Sequence, residues 1–132
     1  MHVYALLFPN LLLLFYPVSR GSILLQATGL SYPAAIRYHR WLGHWVMVLV
    51  TAHSLGFWGV WLALGTWKDE ALSFGARVNN LMGGVSFLSG VALWLTSLDG
   101  ARRGGYALFY GMHHVGFWGF MVAGLMHYQS MF

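Results

Sequence analysis

The stretch YHRWLGHWVMVLVTAHSLGFWGVWLAL (Tyr38–Leu64) decides the fold class, because its only strongly polar side chains are Arg40 and three histidines. Coiled as a helix rising 1.5 Å per residue it reaches about 40 Å, enough to cross a hydrocarbon core of roughly 30 Å with tilt. Arg40 can snorkel at its start. Two further runs of similar character follow. Residues 81–98 are rich in Gly and Ser (Gly83, Gly84, Ser86, Ser89, Gly90), a composition that lets neighbouring helices approach closely in lipid. Residues 106–128 again hold histidines. The first apolar run, 3–18, is short and is interrupted by Pro9, Asn10 and Pro17. It is read as a helix, since a secretory leader would need a basic n-region and a small-x-small cleavage site. Residues 19–37 read as an interfacial connector with one short amphipathic turn, and 65–80 and 99–105 as loops. The expectation is an all-α, polytopic membrane helix bundle of about four transmembrane helices, forming one domain over 1–132.

Composition supports this. Of the 132 residues 58% are hydrophobic and 8% charged, against roughly a quarter charged in soluble domains. There is no cysteine, which excludes disulfides and thiolate metal sites and leaves histidine as the first candidate for a metal ligand; Met47, Met112, Met121 and Met126 are read as core residues rather than ligands. The net charge of +4 reflects three acids rather than a basic patch, so the expected partner is the lipid bilayer and not nucleic acid. With alternating spans, Arg20, Arg37, Arg40, Arg102 and Arg103 share one side, which the positive-inside rule makes cytoplasmic.

Histidines stand at positions 2, 39, 44, 53, 113, 114 and 127. His39 with His53, and His113 with His127, have the same separation of fourteen residues, and each pair lies within one span. Fourteen residues at 100° each are four turns less 40°, so the two imidazoles of a pair face nearly the same way about 21 Å apart along the axis. If the second and fourth spans lie side by side they run in the same direction, and His39 is level with His113 and His53 with His127. That makes two stacked bis-histidine sites, suited to six-coordinate haem irons that pass single electrons. The competing reading is that neutral histidines hydrogen-bond neighbouring helices. His44 falls 140° and 180° away from its neighbours in the pair and is expected to pack or hydrogen-bond. His114 is the alternative to His113, because a bulge would correct its misphase with His127. Arg20, Arg37 and Arg40 are candidates for the propionates of an inner haem, since cations near the membrane surface suit carboxylates.

The stretches FYPVSRGSILL (Phe15–Leu25), RYHRWLGHWVMVLVTAHSL (Arg37–Leu55) and WLTSLDGARRGGYALFYGMHH (Trp94–His114) together resemble the ferric reductase transmembrane domain family. Within it they look most like plant and algal ferric-chelate reductases, with fungal metalloreductases and NADPH oxidases as wider relatives. The resemblance implies two b-type haems stacked across the membrane, FAD and NADPH feeding them from the cytoplasmic side, and a ferric chelate as acceptor. It also implies an integral multi-pass protein of the plasma membrane or of an organelle membrane. The family's ligands fall on His39, His53, His127 and the histidine after Phe109-Tyr110-Gly111-Met112, which is His113. In the NADPH oxidases the separation in that helix is thirteen, which would select His114. No flavin motif of the HPF type and no Gly-rich nucleotide motif occurs in these residues. The chain is therefore expected to be part of a longer protein, with FAD and NADPH on a dehydrogenase portion outside it. The resemblance leaves two other outcomes open: an NADPH-oxidase-like core that makes superoxide, and a cytochrome b subunit that passes electrons to a partner.

Overall fold

Helix α1 (Ile23–Thr28) closes on Gly29, whose φ of 65° is one that a side chain would oppose. The computed structural model, from which this geometry comes, describes residues 9–11, 13–14, 23–75 and 78–128. Helix α2 (Tyr32–Leu64) starts with the Ala35 N–H donating to the Ser31 carbonyl at 3.0 Å. Pro33 sits in its first turn, where a missing N–H costs nothing. It starts six residues before the predicted Tyr38, because an N-terminal proline opens a helix as readily as it closes one. Its far end is a Schellman closure. Gly65 has φ 70°, its N–H donates to Leu62 at 3.2 Å, and the Thr66 N–H donates to Trp61 at 3.0 Å.

Two segments predicted as loops contain short helices: α3 (Trp67–Ala71) in 65–80 and α5 (Asp99–Gly104) in 99–105. Acidic residues in their first turns, Asp69 and Glu70 in α3 and Asp99 in α5, oppose the partial positive charge there. Arg102 in the last turn of α5 donates to Asp99 at 2.9 Å. Between them stands α4 (Asn80–Ser97), and α6 (Tyr106–His127) follows last; both match the predicted 81–98 and 106–128 to within one residue. Asn79 caps α4, its Oδ1 accepting from the Met82 N–H at 3.1 Å. Among the described residues strand-like pairing is limited to isolated bridges, Phe74 with Asn79 and Val78 with Tyr128, so the fold is all-α. In the predicted first span, the described residues 9–11 and 13–14 are helical, and the rest lies outside the described residues.

The chain divides into two compact units, Met1–His53 and Ser54–Phe132, with the boundary inside α2. In the second unit α4 and α6 run antiparallel and pack through small residues. Ser86 and Gly90 are buried on α4, Gly116 and Ala123 on α6. A Cβ on Gly116 would lie 3.0 Å from Leu93 Cβ, and one on Gly119 2.8 Å from Ser89 Oγ, so the backbones approach as only glycine permits. Ser86 Oγ donates to the Phe120 carbonyl at 2.8 Å across this seam. Trp58, near the end of α2, meets Phe87 of α4 edge-on at 5.2 Å between ring centroids.

Against the four predicted spans, α2 alone among the described helices combines the length and hydropathy needed to cross a membrane. The glycines, serines and histidines that let α4 and α6 pack also dilute their hydropathy.

Candidate functional site

On α2 the buried residues Ala35, Leu42 and Val46 form a stripe, and His39 and His53 stand on it by helical phase, both half-buried. His44 is exposed on the other side, as its phase predicts. On α6 the same pattern recurs. His113, Gly116, Phe120, Ala123 and His127 fall at i, i+3, i+7, i+10 and i+14, and this is the stripe that faces α4. Both histidines of the pair therefore end the seam between the two helices.

Three of these rings are held through Nδ1 by an oxygen from elsewhere in the chain. His39 Nδ1 lies 2.9 Å from the Leu14 carbonyl, and His127 Nδ1 lies 2.8 Å from the Asn79 carbonyl. A carbonyl only accepts, so in both rings Nδ1 carries the proton and donates. His113 Nδ1 lies 3.1 Å from Ser97 Oγ, and the Ser97 hydroxyl donates its own proton to the Leu93 carbonyl at 2.6 Å. Here too the ring donates. Each of the three imidazoles is thus the Nδ1–H tautomer, with its lone pair on Nε2. Metal-ligating histidines are oriented in this way, the second N–H given to a carbonyl or hydroxyl that fixes the ring and raises its basicity. The chemistry of each of these three side chains fits a haem-iron ligand that binds through Nε2. Among the described residues there is no group of three or more His, Asp or Glu side chains arranged to hold a metal ion; a porphyrin iron takes at most two protein ligands.

His114 differs. Its Nδ1 donates to the Tyr110 carbonyl of its own helix at 2.9 Å, and its ring is exposed, 4.4 Å by centroid from Tyr110. His113 is half-buried against α4 and Phe109, 5.2 Å away by centroid. Arg37 and Arg40 are exposed within a turn of His39. Arg37 borders a hollow of about 400 Å³ with Leu30, Ala34, Tyr38 and Trp41. Arg20 and His2 lie outside the described residues.

Sequence reasoning missed Ser97 and Asn79, and it named Gly83 for helix packing without its contact to His127. A Cβ on Gly83 would fall 2.7 Å from His127 Nδ1, so the imidazole lies directly on the α4 backbone. Asn79 was recoverable as a capping residue before an apolar run. Ser97 was recoverable as the far end of the period Gly83, Ser86, Gly90, Leu93, Ser97.

Comparison with known proteins gives one family, described as "Ferric reductase like transmembrane component", matching residues 4–124. The chain is 37% identical over 103 residues to "Probable ferric reduction oxidase 1" of Arabidopsis thaliana, covering 77% of this chain and 15% of that protein. It is 36% identical over 102 residues to "Ferric reduction oxidase 2" of the same plant, covering 77% and 14%. It is 29% identical over 97 residues to "Probable metalloreductase AIM14" of Meyerozyma guilliermondii, covering 74% and 19%. The chain spans about 15% of the length of the plant relatives. No solved structure matches it.

Proposed function

The chain belongs to the family of ferric reductase like transmembrane components and is a membrane protein; from that premise we propose that it is the haem-holding part of a metalloreductase, an oxidoreductase through which single electrons cross the bilayer. His39 and His113 hold an inner b-type haem, and His53 and His127 an outer one. Arg20, Arg37 and Arg40 receive the inner propionates. A bound haem supplies a one-electron ferric/ferrous couple without a substrate site at the iron. The protein's own part is to orient four imidazoles, exclude water from them and set the charge around the carboxylates.

The observation that carries this reading is the Nδ1–H donation of His39, His113 and His127 to Leu14, Ser97 and Asn79. It supports ligation through Nε2 at three of the four positions; His114 also donates from Nδ1, and what favours His113 over it is that His113 is half-buried and meets Ser97 of α4, whereas His114 is exposed. Membrane embedding of α4 and α6 is supported by their lengths of 18 and 22 residues, about 27 and 33 Å. Their outward faces are apolar, with Val85, Leu88 and Leu95 exposed on α4, and Val115, Trp118 and Val122 on α6. The names of the plant relatives speak of ferric reduction; a ferric chelate is the proposed acceptor, and a flavin- and NADPH-binding dehydrogenase portion would be the donor. The plasma membrane is the proposed site, with the side bearing Arg37, Arg40, Arg102 and Arg103 cytoplasmic.

The test is a dithionite-reduced minus oxidised spectrum of the purified, haem-reconstituted protein together with its pyridine haemochrome. Two low-spin b-type haems per chain are expected. A folded chain that takes up no haem would overturn the reading.

A further inference from the structure

Helix α4 does more than pack against α6: its last residue reaches the first histidine of the α6 pair. We propose that Ser97 is a positioning residue for His113, setting both the orientation of its ring and the electron donation of its Nε2. This rests on the reading of His113 as a haem ligand.

The geometry has a definite direction. The Ser97 hydroxyl gives its proton to Leu93 at 2.6 Å, a back-bond within α4 that turns an oxygen lone pair toward the ring. His113 then donates Nδ1–H to that oxygen at 3.1 Å. The ring is gripped from a neighbouring helix, so its rotation is set by the α4–α6 seam rather than by its own side-chain torsions. A histidine that donates from Nδ1 is more basic at Nε2. Greater basicity favours ferric over ferrous iron and lowers the potential of the centre that His113 serves. His114, one residue on, is tied to Tyr110 of its own helix. The Ser97 tether thus selects between two adjacent histidines.

A purely structural role for Ser97, the back-bond to Leu93 alone, would change stability and leave both potentials where they were. The discriminating experiment is a redox titration with low-temperature EPR on the full-length, haem-loaded protein in detergent, comparing wild type, Ser97→Ala and Ser97→Thr. Threonine keeps both the back-bond and the acceptor oxygen. In S97A one centre is expected to move to higher potential with an altered low-spin signal, the other staying fixed, and S97T to return the wild-type values. A tenfold change in ferric over ferrous preference reads as about 59 mV for one electron. Loss of one haem in S97A, restored in S97T, supports the same assignment, since removing such a partner weakens metal retention by about ten- to a hundredfold. Two haems with unmoved potentials in S97A would overturn it. So would equal loss of both haems that threonine does not restore. A wild-type protein without low-spin haem would instead overturn the underlying ligand reading, and the wild-type spectrum alone distinguishes the two failures.

Discussion

Asn79 and His127 hold each other twice: the Asn79 N–H donates to the His127 carbonyl at 2.9 Å, and His127 Nδ1–H donates to the Asn79 carbonyl at 2.8 Å. The cap of α4 and the last residue of α6 are thereby one unit. At the other end of the same pair of helices Ser97 takes the Nδ1–H of His113. His113 and His127 are thus both oriented by α4, from its two ends.

If His53 is an axial ligand, His53→Ala should lower the haem content from two per chain to one and leave the second centre spectroscopically intact. Pyridine haemochrome stoichiometry on purified protein measures this. Two haems in the variant would remove His53 from the ligand set.

Neighbouring glycines of α4 should respond with opposite sign. A Cβ on Gly83 collides with the His127 ring at 2.7 Å, whereas one on Gly84 meets nothing within 4 Å. Gly83→Ala is expected to destabilise by about 1–3 kcal/mol through overpacking and to broaden one low-spin signal as the ring is displaced. Gly84→Ala should stabilise by about 0.5–1 kcal/mol through helix propensity. Unfolding midpoints in detergent separate the two, and equal shifts would contradict the ring placement.

Asn79→Ala removes the side-chain acceptor for the Met82 N–H but leaves the backbone clasp on His127 in place. Stability should fall by about 1 kcal/mol, the ordinary cost of a lost cap, with haem content unchanged. Haem loss in this variant would show that the Asn79 side chain, and not its carbonyl, governs His127.

The Ser86 hydroxyl is buried and bonds the Phe120 carbonyl at 2.8 Å. Hydrogen bonds between membrane helices contribute about 0.6 kcal/mol on average. Ser86→Ala should therefore cost well under 1 kcal/mol by denaturant titration, because the close approach of Gly116 and Gly119 carries the seam. A loss of several kcal/mol would reverse that ranking.

Where the helices lie was legible in the chain, because length and hydropathy are local properties: α4 and α6 fall where their apolar runs predicted. Asp69, Glu70 and Asp99 were visible too, yet the short helices they open were read as loops, since one or two turns leave almost no periodic signal.

The sequence by itself determined which residues share a helix face. Fourteen positions is nearly a whole number of turns, so His39 with His53 and His113 with His127 are paired by covalent spacing alone. What only the tertiary structure decided is which imidazole nitrogen holds the proton and which of two adjacent histidines meets α4. Those answers depend on the Leu14 carbonyl, the Asn79 carbonyl and the Ser97 hydroxyl, which lie 25, 48 and 16 positions away from their histidines. A hydrogen bond is a matter of distances of about 3 Å and of direction: periodicity can put Ser97 on a helix face, but it does not encode which ring nitrogen that hydroxyl meets.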